Sequence, residues 1–314
     1  LSLSINIDEN VDAISRLIHQ SLFIGSNGIK KEKSYYNYSY LGGGTTETIH
    51  TVSYQSILNN ATNVHLLETY SYDLLGNISQ ISSLKNNATS LTKYTYDEYS
   101  RLIREDNELL NRTYVYSYGS NGNIIEKKEY YYCSSRLLAN NFIKTYSYSY
   151  DSNYPTRLAS FDNQTITYDN LGNPLTYRGA VLTWDRGTLL SSYTKDGVSI
   201  NINYDGFSLL KSKRVGTSIT MFNYVNGLLL LEIRGTDIIT YLYSNKDIIG
   251  FAYHNVIYYY EKNIQNDVIV IRDSNHNIVA SYIYDAFGNH KVLNPDGSIN
   301  TSSLFIGNIN PIRY

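Results

Sequence analysis

The feature that most constrains this chain is a short motif that keeps returning: one or two tyrosines, an aspartate, two variable residues and a glycine. Its clearest copies are Tyr70-Ser71-Tyr72-Asp73-Leu74-Leu75-Gly76-Asn77-Ile78, Tyr168-Asp169-Asn170-Leu171-Gly172-Asn173 and Tyr284-Asp285-Ala286-Phe287-Gly288-Asn289. Looser copies are Tyr94-Thr95-Tyr96-Asp97, Tyr116-Ser117-Tyr118-Gly119, Tyr148-Ser149-Tyr150-Asp151, Thr183-Trp184-Asp185-Arg186-Gly187, Asn203-Tyr204-Asp205-Gly206 and Tyr224-Val225-Asn226-Gly227. Successive anchors lie mostly about 16–24 residues apart, a spacing typical of repeat architectures. Longer gaps precede Asp151 and Asp285.

Each copy reads as a β-hairpin. Side chains two residues apart lie on one face of a strand, so the rings of Tyr-x-Tyr stand side by side. An aspartate at the head of a turn accepts backbone N–H bonds from residues further along, and glycine three residues later enters the positive-φ region without a steric penalty. Asp-x-x-Gly therefore predicts a type I turn closed by a glycine bulge, with Asn77-Ile78 or Asn289 opening the return strand. One hairpin alone is marginal in water, so units must pair edge to edge and ladder their tyrosines. The fold class expected is all-β: a curled antiparallel β-hairpin repeat array, of the β-solenoid or spiral kind, with little helix.

Composition agrees. The 314 residues include 34 tyrosines against 8 phenylalanines, one tryptophan, one methionine and 4 prolines, and tyrosine, isoleucine, valine and threonine favour pleated strands. Helix is credible only at about Asp8 to Gln20, with Asp8 as cap; a short strand-bearing lead-in is the open alternative. Gly42-Gly43-Gly44 marks at most a loose loop. Leu228 to Leu231, after the turn signal Asn226-Gly227, reads as a buried strand.

Several function classes find no support. Net charge is -2, and the tightest basic run, Lys30, Lys31 and Lys33, is too short for a nucleic-acid footprint. No apolar run approaches the roughly 20 residues that span a bilayer. Cys133, the one cysteine, excludes an internal disulfide framework; as part of a strand-like run after Tyr130-Tyr131-Tyr132 it is read as a buried structural thiol. His19, His50, His65, His254, His276 and His290 lack the close spacing of metal ligands. No nucleophile elbow, phosphate-cradling loop or zinc spacing occurs. The repeated aspartates resemble paired glycosidase carboxylates, yet Asp73, Asp97, Asp151, Asp169, Asp205 and Asp285 share one local context. A residue repeated in unit after unit has a repeated job, which is turn formation. Asn60, Asn87 and Asn111 open Asn-x-Thr triplets and Asn77 an Asn-x-Ser triplet; in an asparagine-rich chain these carry little weight as glycan acceptors. No catalytic, cofactor or metal residue is expected. The residues of consequence are structural: Tyr72, Asp73, Gly76, Tyr96, Asp97, Tyr168, Asp169, Gly172, Tyr284, Asp285 and Gly288.

Tyr-Asp-x-x-Gly-Asn units in series resemble the YD repeats of bacterial Rhs proteins, wall-associated proteins and teneurins. The stretch Tyr258-Tyr259-Tyr260-Glu261-Lys262-Asn263, Asp267-Val268-Ile269, Asp273-Ser274-Asn275, Asn277-Ile278-Val279 and Tyr284 to Asn289, with Asn310-Pro311-Ile312-Arg313-Tyr314, resembles the start of the Rhs-associated core domain. The resemblance implies a hollow β-shell whose core segment closes one end, in secreted or cell-surface bacterial proteins that enclose a toxin carried after the core. No catalytic residue of the family transfers to this chain. Asn266 and His276 stand where the family usually has glycine, so the hairpin near His276 is expected to be strained or differently turned.

The domains expected are a lead-in over residues 1–34, a YD-repeat shell over 35–257 and the start of the core domain over 258–314. Because the repeats start and stop mid-array and no signal peptide is present, the chain reads as a fragment. Its expected function is a non-catalytic encapsulation segment of an Rhs-type toxin, with a toxin cargo as partner, no cofactor, no nucleic acid and no membrane span. The alternative is a surface adhesin whose exposed aromatics hold cell-wall glycan. Open strand edges predict self-association in isolation.

Overall fold

The computed structural model describes residues 5–38, 44–85, 87–135 and 139–313. The chain is an antiparallel meander. Its strands form two 13-stranded sheets, each in strict chain order, the first running from Ile5–Val11 to Gln164–Thr165 and the second from Thr176–Tyr177 to His290–Leu293. Every pair whose register is described is antiparallel, as in Leu67↔Leu84 or Ile200↔Val215. Helix is confined to the single turns Ala139–Asn141 and Ile306–Ile309 among the described residues.

An antiparallel meander places alternate turns at opposite edges, and the two edges differ in chemistry. Along the first strands, one edge carries the loops Asp12 to Arg16, Asp73 to Asn77 and Asp97 to Arg101. The opposite edge carries tight turns such as Asn59-Asn60, both at positive φ. The second sheet repeats this: the Asp205 loop lies at one edge, and Asp196-Gly197 and Gly216-Thr217 at the other. A strand register shift accompanies the aromatic residue of the motif, between Ser71/Tyr72, Thr95/Tyr96, Ser149/Tyr150, Thr183/Trp184 and Asn203/Tyr204. This is the bulge through which the five-residue loop is absorbed into the ladder.

The expected helix about Asp8 to Gln20 is not formed. Ile5–Val11 and Leu17–Ile24 are paired strands, and the residue that organises the reversal is Asp12, not Asp8. Asp12-Ala13-Ile14-Ser15-Arg16 is itself a copy of the loop, with Ser15 at φ 66 in the glycine position. The alternative, a strand-bearing lead-in, describes this segment, because loop chemistry outweighs a weak amphipathic pattern. Gly42 and Gly43 lie outside the described residues, and Gly44 opens a strand. Leu228–Arg234 is a strand as expected, but Leu230 is 37% exposed and its leucine neighbours are half-buried. Leu230 lies two residues from the buried Glu232, so cover changes along the strand, which an aliphatic run cannot report.

The chain divides into two compact units: residues 1–115 with 129–143 and 261–314, and residues 116–128 with 144–260. In the second, Val198–Tyr204 alternates exposed with half-buried side chains, the mark of a sheet covered on one face. In the first, Val270, Ile271 and Arg272 are buried in succession, so this strand is covered on both faces. The first unit's core gathers Val52, Tyr54 and Tyr70 with Ile49, Leu66, Tyr72, Ile78 and Ile81, and the terminal residues Ile264 and Ile269 pack against it.

Candidate functional site

The repeated loop is one structure in many copies. In the first clear copy, Asp73 Oδ1 accepts the N–H of Leu75 (2.9 Å) and of Asn77 (2.9 Å), while Asp73 Oδ2 accepts from Asn77 Nδ2 at 2.9 Å. The Gly76 N–H donates to the Asp73 carbonyl at 3.1 Å, with Gly76 at φ 85. Asp169 and Asp285 are engaged in the same way by Leu171, Asn173, Phe287 and Asn289. Where the last asparagine is missing, an arginine takes its part: Arg101 Nε donates to Asp97 Oδ2 at 2.6 Å. The donors hold the Asp73, Asp97 and Asp169 carboxyls below their ordinary value. For Asp73 and Asp169 the largest influence is the asparagine side chain, and for Asp97 it is Arg101. Each carboxylate is thus engaged by its own loop.

Two further copies contain the residues that stand at glycine positions, Asn266 and His276. Asn263 to Asp267 has the acid and the amide exchanged, Asn263 Nδ2 donating to Asp267 Oδ2 at 2.8 Å. Asp273 to Asn277 carries His276 in the glycine position. Asn266 and His276 both lie at positive φ, 75 and 64, as expected of residues that replace glycine. The His276 turn is nonetheless not differently built: its N–H donates to the Asp273 carbonyl at 3.0 Å, as in the other copies. The position, rather than the residue, dictates the backbone. It does so at a cost of about 1 kcal/mol for a side chain in that region.

The aromatic residue before the aspartate has a task of its own. The Tyr96 hydroxyl donates to the Ile78 carbonyl at 3.0 Å, Tyr168 to Leu158 at 2.6 Å and Tyr284 to Val268 at 2.6 Å. Tyr35, Tyr72, Tyr150, Tyr204 and Tyr243 make the matching bonds to Leu17, Ile49, Ile124, Leu190 and Leu229. In most of these the acceptor is the first residue after the loop of the preceding repeat, and Trp184 Nε1 reaches Pro174 in the same manner at 2.8 Å. Every such residue stitches its repeat to the one before. A phenylalanine cannot do this, which gives a physical reason for 34 tyrosines against 8 phenylalanines. Ring contacts contribute beside it, edge-on between Tyr148 and Phe161 and stacked between Phe251 and Tyr258.

The second locus joins the first and last parts of the first unit. Glu261 and Arg272, with 2% and 4% of their side chains exposed, form an ion pair. His65 Nε2 lies 2.8 Å from Glu261 Oε2 and 2.8 Å from Arg272 Nη2. It can give a proton to the carboxylate or accept one from the guanidinium, not both at once. Burial pushes the Glu261 carboxyl up, but the His65 hydrogen bond and the Arg272 charge outweigh it and hold it below the ordinary range. Glu68 nearby shows the opposite balance: burial raises it more than the bonds from Tyr70 (2.6 Å) and Tyr54 (3.2 Å) lower it. Further along, Glu105 Oε2 accepts the Ala286 N–H at 2.9 Å, and Asn107 Nδ2 donates to the Tyr284 carbonyl at 2.9 Å. Sequence reasoning treated His65 and His276 as isolated, because their neighbours are some two hundred residues away in one case. The Glu-x-Asn pair Glu105 and Asn107, buried and polar, was the signal that went unread.

The terminal residues close over their own strands. Asn310 is fully buried, its Nδ2 reaching the Tyr282 hydroxyl (3.2 Å) and the Ile312 carbonyl (2.7 Å). The Arg313 guanidinium lies over the Tyr282 ring and donates to Gly307 at 2.9 Å; Tyr314 lies outside the described residues. Cys133 departs from the expected buried thiol. It follows the end of its strand, is partly exposed, and its Sγ lies 3.6 Å from Ser135 Oγ, a contact that lowers the thiol from its ordinary value. Among the described residues no group of three or more His, Cys, Asp or Glu side chains could hold a metal ion, and no helix is long and apolar enough to cross a membrane.

No family model matches the chain. It is similar to tRNA3(Ser)-specific nuclease WapA of Bacillus spizizenii, 29% identical over 145 residues, and equally to tRNA nuclease WapA of Bacillus subtilis. Each match covers 44% of this chain and 6% of the relative, so the chain spans a small part of those proteins' length. Among solved structures, the crystal structure of TcdB2–TccC3 matches with a TM-score of 0.56 and 14% identity, covering 91% of this chain and 18% of that one. At that identity the likeness is one of fold.

Proposed function

We propose that the chain is a wall segment of an enclosing β-shell in a larger Rhs-type toxin, without catalytic work of its own. The observation that carries this reading is the stitch. The residues repeated along the array, Tyr72, Tyr96, Tyr168 and Tyr284 with Asp73, Asp97, Asp169 and Asp285, turn their polar groups on the backbone of their own or the preceding repeat. Carboxylates held below their ordinary range by their own turns, as Asp73, Asp97 and Asp169 are, make poor general acids, which need a raised pKa. The likeness in fold to TcdB2–TccC3 and the partial likeness to WapA favour a place in a toxin protein over a free-standing enzyme. In this reading residues 35–257 are wall, 258–314 begin the closing segment, the partner is a toxin cargo, and the parent is secreted or displayed on a bacterial surface.

The test is protease protection of cargo in the full-length parent. With the wall intact the cargo resists digestion; with Tyr96, Tyr168 and Tyr204 all changed to phenylalanine, digestion accelerates. Cargo digested equally fast behind an intact wall removes the proposal.

A second reading has a specific observation behind it. Aromatic residues stand at the third position of several loops, where Tyr99 is 70% and Phe207 90% exposed. Such rings offer an apolar face to a sugar. Retention on cell-wall glycan that is lost in Tyr99→Ala and Phe207→Ala supports an adhesin; unchanged retention, or none, leaves the wall.

A further inference from the structure

We propose that the buried cluster Glu261, Arg272 and His65 is a releasable fastening that holds the terminal segment on the strand Ala61–Tyr72, and that neutralising Glu261 frees this segment while the other hairpins stay paired. The inference rests on the wall reading, in which residues from 258 onward begin the closing piece.

A buried ion pair is weak glue but a sensitive one. Its attraction barely repays the loss of hydration, whereas removing one partner strands a bare charge in the interior. Here the stranded charge is Arg272. Its guanidinium also donates to the His276 carbonyl, and that stretch of chain is committed to Arg272 as well. The charged and titratable groups around Glu261 make the site one-sided. His65 faces it from Ala61–Tyr72, Lys85 from Ile78–Lys85, Tyr54 from Gly44–Leu58, and Arg272 and His276 from Val268 to Asn277, with Asp273 acting on His276. Glu68, on the strand of His65, is held toward its neutral form by burial. Lys85 has its own charge disfavoured by burial, which outweighs the support of Glu261, and by Arg272. Glu261 is thus the carboxylate that answers Arg272, and no other buried carboxylate contacts that guanidinium among the described residues. At the far end the segment is held by neutral and singly charged hydrogen bonds, Glu105 with Ala286 and Asn107 with Tyr284. The apolar residues Ile264 and Ile269 complete the seat.

The sign of the acid response follows. A carboxyl held below its unfolded value contributes stability that is fully present above that value, here 4.5, and is lost as pH falls through the lowered one. The experiment is hydrogen exchange on the whole chain, comparing wild type, Glu261→Gln and His65→Gln from neutral pH down past 4.5, with intrinsic rates corrected. In Glu261→Gln at neutral pH, protection over Val268–Arg272 and Ile278–Tyr284 is expected to fall about a hundredfold, while Val198–Tyr204 keeps its own. On acidification wild type loses protection in this segment beyond the loss that the loop aspartates impose on all strands, and Glu261→Gln shows only the shared loss. His65→Gln keeps a neutral donor and falls less.

Protection at the wild-type level in Glu261→Gln, or a loss spread evenly over all strands, overturns the proposal. If that variant does not fold, the wild-type titration decides: a loss in this segment in excess of that shared by the other strands supports the fastening, and no excess removes it. Intact cargo protection with failure here sinks the fastening alone; loss of cargo protection in the wild type sinks the wall.

Discussion

At the fourth residue of most copies of the loop the backbone turns left-handed whatever the side chain. Gly172 at φ 86, Ser100 at 59, Ser208 at 64 and His276 at 64 occupy equivalent places. Nothing lies within 4 Å of a Cβ built on Gly172, so Gly172→Ala isolates the conformational cost and should destabilise by about 1–2 kcal/mol in urea unfolding. Ser208→Gly should do the reverse, by up to about 1 kcal/mol, since its side chain has only the loop's strain to give up. Removing one stitch hydroxyl, as in Tyr96→Phe, should cost about 1 kcal/mol and be visible as faster exchange at the two strands it joins. The loop aspartates predict a pH response. Asp73, Asp97, Asp151 and Asp169 are all lowered from 3.8, chiefly by side-chain hydrogen bonds from Asn77, Arg101, Arg157 and Asn173. Their contribution is complete above that value and disappears as pH falls through the lowered ones. Thermal midpoints should therefore drop below about pH 4, and a double change of Asp73 and Asp169 to asparagine should flatten that drop.

At the scale of the element, a repeat consists of a bulge, a five-residue loop, a return strand and a tight turn. The tyrosine is placed at the bulge so that its hydroxyl meets the preceding repeat. The loop tolerates Ser, Asn or His for Gly and Arg for the final Asn, while the copies that stitch carry an aromatic with a polar hydrogen, Tyr or, at 184, Trp; Val11, Lys262 and Arg272 hold that place in copies without one. The loop also explains why a short apolar periodicity near Asp8 to Gln20 did not become helix. Asp12 supplies the loop, and the strand of Ile5–Val11 has a partner in Leu17–Ile24 from the outset. A tighter constraint lies in Asp247–Tyr253, where a Cβ on Gly250 would stand 2.1 Å from the Tyr258 carbonyl oxygen. Gly250→Ala should force the paired strands Asp247–Tyr253 and Val256–Lys262 apart and destabilise by about 1–3 kcal/mol. The loss should be local in hydrogen exchange, since repeat arrays are held chiefly by nearest neighbours.

Taken as a whole molecule, the chain returns at its end to strands laid down near its beginning. Residues 261–314 belong to the same compact unit as 1–115, and Ile264 and Ile269 cover the Val52, Tyr54 and Tyr70 cluster. Shortening the chain to residues 1–260 should uncover that cluster, raising binding of a hydrophobic dye and promoting self-association, which sedimentation would detect; an unchanged monomer with no added dye binding counts against it. The sequence by itself determined what is settled within a few residues. Asp73, Gly76 and Asn77 build their loop from contacts no more than four positions apart, so the repeat, the hairpin and the antiparallel class were legible. Only the tertiary structure decided which carbonyl each tyrosine reaches, which leucines of Leu228 to Leu231 stay exposed, and that His65 meets Glu261 across 196 positions. A local turn is fixed by steric rules that any short peptide obeys. The partner of a buried charge is fixed only when the chain folds back and water leaves, and no pattern in the sequence reports where that occurs.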